Sequence, residues 1–321
     1  MRVFLAGATG AIGRRLVPQL VAAGHDVTAT TTSPAKEALL RDLGATPVVV
    51  DGLDGAAVGE AVARARPDAI VHQMTALSGA PDLRRFDRTF AKTNELRTKG
   101  TENLLAAARG AGVERFVAQS YAGWPSAPTG GALVTEDDPL DPSPAANQRR
   151  THEAIRFLER AVAEAPLDGV VLRYGSFYGP GASEEIVELV RRRRVPIVGD
   201  GGGVWSWIHL DDAAGATVAA LERGTPGVYN VVDDEPAPVR EWLPAFAAAV
   251  GAKPPRRVPV WLARPLAGDV VVRMMTEIPG VSNAKARAQL GWVPRWRSWR
   301  EGFRHGLTDG AAAPASEAVT R

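Results

Sequence analysis

Seven residues near the amino terminus carry the plainest chemical signal in the chain: Gly7-Ala8-Thr9-Gly10-Ala11-Ile12-Gly13. Glycine at every third position lets a backbone turn tightly and approach a ligand without a Cβ in the way. Where such a turn opens a helix, the first N–H groups of that helix have no intrahelical acceptor and suit a phosphate. The loop therefore predicts a pyrophosphate site and a dinucleotide ligand, with Thr9, Ala11 and Ile12 lending backbone and Arg14 following the third glycine. The next strand-like run ends at Thr32 and Ser33, with Lys36 beyond. A ribose with a free 2′-hydroxyl is usually met at that place by a carboxylate. None is present, and hydroxyls with cations suit a 2′-phosphate, so NADP is the expected cofactor and NAD the alternative.

The elements that must hold this loop are legible as alternating runs. Short apolar or β-branched stretches at 2–6, 26–31, 47–50, 69–72, 115–119 and 169–174 alternate with helical spacing at 12–23, 36–43, 56–65, 98–111 and 151–164. Strands alternating with helices imply βαβ units and a parallel sheet covered on both faces. The expectation is an α/β chain: a doubly wound Rossmann domain over 1–174 with returning segments near 205–232, and a smaller substrate-binding lobe over 175–309. The last residues, 310–321, are rich in Ala, Ser and Pro and read as a disordered tail.

Composition excludes several function classes. With 38 basic and 36 acidic residues there is no excess charge to hold nucleic acid. The run Arg191-Arg192-Arg193-Arg194 closes a helix-like stretch, 184–194, where cations suit the negative end of the dipole. There is no cysteine, hence no thiol chemistry. No apolar stretch approaches the roughly 18 residues of a membrane span, and the glycine loop begins too early to leave room for a signal peptide. The expected location is cytoplasmic. His25, His72, His152, His209 and His305 lack metal-ligand spacing, so no metal is expected. The partners expected are a small-molecule substrate and, as an open alternative, a second copy in a homodimer, with neither nucleic acid nor membrane.

The glycine spacing, together with Val71-His72, Gly100-Thr101-Glu102-Asn103-Leu104-Leu105, Leu172-Arg173-Tyr174-Gly175, Tyr178-Gly179-Pro180-Gly181, Ile208-His209-Leu210-Asp211-Asp212 and Leu290-Gly291-Trp292, resembles the extended short-chain dehydrogenase/reductase family, also called the NAD-dependent epimerase/dehydratase family. The resemblance runs from Met1 to about Phe303. It implies that Asp51 and Gly52 meet the adenine, that Gln73, Met74 and Thr75 lie on the ribose and pyrophosphate side, and that Tyr174–Phe177 lies beside the nicotinamide. It also implies that Ser120 is the catalytic hydroxyl. The family usually has Asn three residues before Gly100; here that position is Arg97, with Asn94 one turn earlier.

The family's acid–base pair is Tyr-x-x-x-Lys, in which the cation eases loss of the phenolic proton. Between Pro144 and Glu159 there is neither Tyr nor Lys; Gln148 and His152 stand in that segment. Gln148 is no acid, whereas His152 titrates near pH 6.5. Tyr121 and Tyr178 are the other candidate proton donors. Sugar-nucleotide members carry Arg where this chain has Trp205, and Trp124, Gln148 and Met274 complete a candidate pocket that is largely apolar. The reading is an NAD(P)-dependent oxidoreductase with an atypical proton relay, acting on a small, largely apolar carbonyl or hydroxyl compound. The alternatives are a non-redox epimerase, dehydratase or cyclase on the same fold, or a non-catalytic NADP-binding sensor. Because no carboxylate guards the 2′-position, NADPH is expected to bind more tightly than NADH in calorimetric titration, and Thr32→Asp is expected to reverse the order.

Overall fold

A strand buried on both faces has to be apolar at successive positions, and a sheet made of such strands has to be covered by helices on each side. The computed structural model, which describes residues 1–77, 82–127 and 133–308, is built on this plan. The first half runs β1 (Arg2–Ala6), α1 (Gly13–Ala22), β2 (Asp26–Thr31), α2 (Glu37–Asp42), β3 (Thr46–Val49), α3 (Gly55–Ala65) and β4 (Ala69–His72). It continues through the short α4 (Phe86–Thr89) and α5 (Ala91–Glu95), then α6 (Thr101–Ala111), β5 (Arg115–Tyr121), α7 (Arg149–Ala163) and β6 (Asp168–Tyr174). One π-helical turn, Leu96–Gly100, joins α5 to α6.

After β6 come β7 (Ser176–Tyr178), α8 (Glu184–Arg191), β8 (Ile197–Val198), β9 (Val204–Trp205), β10 (Trp207–His209), α9 (Leu210–Arg223) and β11 (Gly227–Val231). Six of the early strands and β11 form one seven-stranded parallel sheet in the order β11-β6-β5-β4-β1-β2-β3. Chain order reverses between β1 and β4, and the crevice outside the carboxyl ends of those strands is where open α/β sheets take ligands. Of the two returning segments, only the later one joins this sheet. Trp207–His209 instead pairs in parallel with β7, Ile208 opposite Phe177.

Two layers cover the sheet. On one face Leu16, Val17 and Leu20 of α1 pack with Ala213, Ala216 and Ala220 of α9. On the other, Val58 and Val62 of α3, Leu104 and Ala108 of α6, and Leu158 and Val162 of α7 close over Phe4, Ile70 and Phe116. A separate aromatic core joins Tyr178, Trp207, Trp242, Phe246, Trp299 and Phe303. It is assembled from β7, β10 and three further helices, α10 (Val239–Ala249), α11 (Val260–Ala267) and α12 (Asp269–Thr276), with Trp299 and Phe303 lying past them. The helix expected over 184–194 ends at Arg191, because Arg193 takes a left-handed φ of 53° that no α-helix accommodates. The expected disordered tail, 310–321, lies outside the described residues.

The three glycines of the first loop do different work. Gly7 has φ +92°, and a Cβ there would sit 2.6 Å from the Gln73 carbonyl. A Cβ on Gly13 would fall onto the Ala8 carbonyl oxygen, whereas one on Gly10 meets nothing closer than the Gly7 carbonyl oxygen at 3.4 Å. Gly7 and Gly13 are thus demanded by the fold, and Gly10 by whatever lies on the loop. Gly13→Ala is expected to lower the melting temperature sharply, while Gly10→Val stays folded by circular dichroism and loses dinucleotide binding in calorimetry.

Candidate active site

The dinucleotide cradle forms where β1 and β4 end side by side. Thr30 at the end of β2 accepts the Gly7 N–H through its hydroxyl at 3.1 Å, which pins the start of the turn. No side chain caps the amino end of α1, and the Arg14, Arg15 and Leu16 N–H groups donate to the Gly10 and Ile12 carbonyls that precede it. Below the loop Gln73 is buried; its amide donates to the Tyr174 hydroxyl at 3.2 Å, and that hydroxyl lies 2.6 Å from Thr217 Oγ1. Gln73 Oε1 is buried without a hydrogen-bond partner among the described residues, so the cradle keeps one acceptor unused. An open glycine turn and an orphaned acceptor beneath it fit a dinucleotide.

The flanking residues fall on the two sides of this crevice. Asp51 is exposed and accepts the Leu53 N–H at 3.0 Å; Gly52 lies directly under the Met74 side chain and gives its carbonyl to Asn103 Nδ2 at 3.0 Å. Asn103 was not anticipated, although it belongs to the Gly100–Leu105 motif. Thr32, Lys36 and Thr75 are exposed at the rim, and the Ser33 N–H donates to Thr31 Oγ1 at 3.1 Å. The Arg14 guanidinium lies against Gly181, at the loop that faces the cradle. Phe177 packs its ring 5.6 Å from that of Tyr174, which is fully buried.

The second group gathers at the carboxyl ends of β5 and β6. Tyr121 ends β5 in register with Tyr174, and its hydroxyl lies 3.2 Å from Ser176 Oγ. The Trp124 ring stands 5.4 Å from Tyr121 and 5.3 Å from His152. Gln148 and His152 are one turn apart at the start of α7 and both are buried. Trp124, Gln148 and Met274 share a narrow cleft with Asp141 and Arg273, which are joined by an ion pair of 2.9 Å. Its free space is about 20 Å³, enough for a single water.

Three expected site residues are placed elsewhere. Ser120 faces α7, where its hydroxyl donates to Glu159 Oε1 at 2.7 Å; Glu159 in turn holds Arg173 through contacts of 2.8 and 2.7 Å. Strand alternation is the reason: neighbours on β5 point to opposite faces, so Tyr121 reaches the cleft and Ser120 does not. Tyr178 is packed among Trp207, His209 and Phe303 and lies against Gly302, inside the aromatic core. Trp205 stacks on Trp207 and donates its indole N–H to the Met274 carbonyl at 2.8 Å, so it braces the wall of the cleft from behind.

The chain belongs to the NAD-dependent epimerase/dehydratase family. The family model matches residues 3–231. A Streptomyces protein named 3-diazoavenalumate denitrifying reductase is 46% identical over 319 residues, covering 94% of this chain and 99% of its own length. A 2-alkyl-3-oxoalkanoate reductase from Stenotrophomonas maltophilia is 30% identical, covering 78% of this chain and 76% of its own. Among solved structures, Thermus thermophilus UDP-glucose 4-epimerase in complex with NAD superposes with a TM-score of 0.72 at 27% identity, covering 96% of this chain and 98% of that one. A human epimerase family protein with NADPH gives 0.72 at 25% identity, covering 95% and 98%. This chain is thus an enzyme of nicotinamide-dependent oxidoreductase type on a Rossmann fold. No helix among the described residues is long and apolar enough to cross a membrane, and no group of metal-ligating side chains converges among them.

Charge within the site follows from burial. Desolvation pulls His152 down from 6.5 to about 4, and Arg156 adds to the effect. Both ring nitrogens are buried without partners among the described residues. Burial therefore disfavours the charged form of His152 and weighs against it as the proton donor that its type suggested. Burial likewise raises the Tyr121 phenol, against the opposing pull of Ser176, Trp124 and Arg97. Arg97 was not among the expected site residues. It is buried on the π turn, its Nη1 lies 3.4 Å from Asn94 Oδ1, and Asn94 Nδ2 donates to Thr151 Oγ1 at 2.9 Å.

A histidine kept neutral by folding destabilises the fold in acid. The unfolded chain binds the proton below pH 6.5 and the folded chain only near 4, so the contribution of His152 is whole above that window and is lost as pH falls through it. The shift corresponds to about 3 kcal/mol. Urea titrations at pH 7 and pH 4 are expected to show a smaller loss for His152→Gln than for the native chain, by an amount of that order.

Proposed function

We propose that this chain is an NADP-preferring reductase that removes a diazo group from an aromatic substrate as dinitrogen. The observation that carries the reading is Gln148 and His152 in the segment where the resemblance implies the family's acid–base pair: both ring nitrogens of His152 are buried without a partner among the described residues, and burial lowers it to about 4. The 46% identical relative named for a denitrifying reduction of a diazo compound supports the same reading.

The two kinds of acceptor differ in what they ask of the protein. Hydride added to a ketone carbon leaves an alkoxide that has to be protonated. Hydride added to the terminal nitrogen of an aryl diazonium forms an N–H bond and a neutral aryl diazene. The carbon–nitrogen bond then breaks, dinitrogen leaves, and the hydrogen ends on the ring carbon. The sum is Ar–N₂⁺ plus hydride giving Ar–H plus N₂, with no proton drawn from a side chain.

When bound, reduced nicotinamide supplies the hydride. The loop of Gly7, Gly10 and Gly13 holds the pyrophosphate in this reading, and Gln73 Oε1 accepts from the cofactor beneath it. Thr32, Ser33, Lys36 and Arg14 meet the 2′-phosphate, and Asp51 and Gly52 the adenine. Tyr174 and Phe177 back the nicotinamide. Trp124, Met274 and Gln148 grip the arene, and residues 175–309 supply the outer wall of its pocket.

Turnover of a hydroxyarene diazonium salt with NADPH carrying deuterium at the transferable position tests the reading. Deuterium is expected on the ring carbon that bore nitrogen, with one dinitrogen released per NADPH consumed. Consumption of NADPH by apolar ketones but not by the diazonium salt would overturn it.

A further inference from the structure

Arg97 is a buried cation, with 6% of its surface exposed, that interacts electrostatically with Tyr121, whose ring in turn packs 5.4 Å from the Trp124 ring of the cleft. Among the described residues no carboxylate pairs with it; its partner is the neutral Asn94 amide at 3.4 Å. The other deeply buried arginine at this end of the sheet is matched: Arg173 lies against Glu159 at 2.7 Å. A buried cation without an anion is costly to the fold, and such groups are retained where a ligand brings the missing charge. The local backbone is unusual too. Arg97 sits within the π-helical turn Leu96–Gly100, a feature that inserts one extra residue and redirects a side chain.

We propose that Arg97 and Tyr121 form a donor pair for an anionic oxygen on the substrate ring, so that the pocket selects oxygen-bearing diazoarenes over bare diazonium cations. This rests on the diazo-reductase reading and extends it to the substrate class. A bare aryl diazonium would bring a second positive charge beside the buried guanidinium, whereas an arene carrying both oxide and diazonium is neutral overall and places its negative end on Arg97. During the reaction the balance also favours this pair. Hydride bonds to the terminal nitrogen, the positive charge on nitrogen is lost, and the net charge that remains sits on the ring oxygen. Tyr121 donates one hydrogen bond there and Arg97 supplies charge and a second. As dinitrogen departs, the N–H and C–N bonds of the diazene break and a C–H bond forms at the ring carbon, and the ring oxide takes a proton from solvent after release.

The charge environment is consistent with this. His72, the other titratable group near Arg97, is drawn down to about 4 by burial and by Arg97 itself, so it is neutral. Burial also lowers Arg97 to about 10, and Tyr121 is the group that opposes this. Among the described residues no anion of the chain satisfies the guanidinium.

Two measurements on the full chain test the pair. The first compares kcat/KM for 2-hydroxybenzenediazonium and for benzenediazonium, each with NADPH, in the native chain and in Arg97→Gln, Arg97→Lys and Tyr121→Phe. The native chain is expected to favour the hydroxylated substrate, and Arg97→Gln to lower that ratio about 10²-fold, the scale of losing one oxyanion donor. Arg97→Lys is expected to fall between. The second titrates the complex with NADP⁺ using 4-nitrophenol and 4-nitroanisole. Native protein is expected to bind the nitrophenolate in preference and to show its absorbance below the pH at which it forms in water; Arg97→Gln and Tyr121→Phe are expected to lose both. An equal loss for both diazonium salts, or nitrophenolate binding that ignores Arg97 and Tyr121, would overturn the proposal. Arg97-dependent nitrophenolate binding without reduction of either salt would sink the diazo reading and leave the donor pair standing. Should Arg97→Gln not fold, Arg97→Lys and Tyr121→Phe decide between the same outcomes.

Discussion

The contact on which the molecule turns is backbone against backbone: Gly7 pressed onto the peptide that follows Gln73. It brings the ends of β1 and β4 together at the one place where sheet order reverses. Everything that a dinucleotide needs radiates from this point. The turn opens directly into α1, the Gln73 side chain becomes the floor, and the Tyr174 hydroxyl ties that floor to Thr217 on α9. A side chain at position 7 would part the two strand ends by several tenths of an ångström at least, because neither contacting group is flexible. Packing this close is possible only for glycine, and it fixes where the cofactor lies before any ligand contact is made.

Two buried arginines show how differently the same residue is used within one sheet. Arg173 is completed by Glu159 and Ser120, and the trio is a closed network of hydrogen bonds. It locks α7 onto β5 and β6 and has nothing left for a substrate. Arg97 is buried as deeply, with the Asn94 amide for company and no carboxylate among the described residues. The first arrangement is structural, since removing one member strands a charge in the interior at a cost of several kcal/mol. The second leaves charge available at the place where reacting groups gather.

The neighbouring histidine completes the contrast. His152 lies one turn from Gln148 and edge-on to Trp124, with apolar surroundings that remove its charge. The cleft thus sets the Trp124 ring, backed by His152, beside the Asp141–Arg273 ion pair. Reductases and epimerases of this family share the cradle, as the NAD and NADPH complexes of related structures illustrate.

Periodicity and the glycine triplet determined the fold class, because a strand buried on both faces and a helix opened by glycine each leave a local pattern that no tertiary contact is needed to read. The early strands 2–6, 26–31 and 69–72 stand where their residue types place them. The later segments were less legible. Trp207–His209 carries the look of a sheet strand yet pairs with β7, since which partner a short strand finds depends on the packing of the aromatic core. Within the site, residue type suggested Ser120, Tyr178 and His152 as donors. Which way a side chain points on β5 depends on register across the sheet, and this turned Ser120 toward Glu159 and Tyr121 into the cleft. Burial, which the sequence does not display, took Tyr178 into the second core and stripped His152 of its charge. Arg97 was visible as an oddity of sequence, but only the fold, by burying it with no carboxylate beside it among the described residues, gave that oddity a chemical meaning.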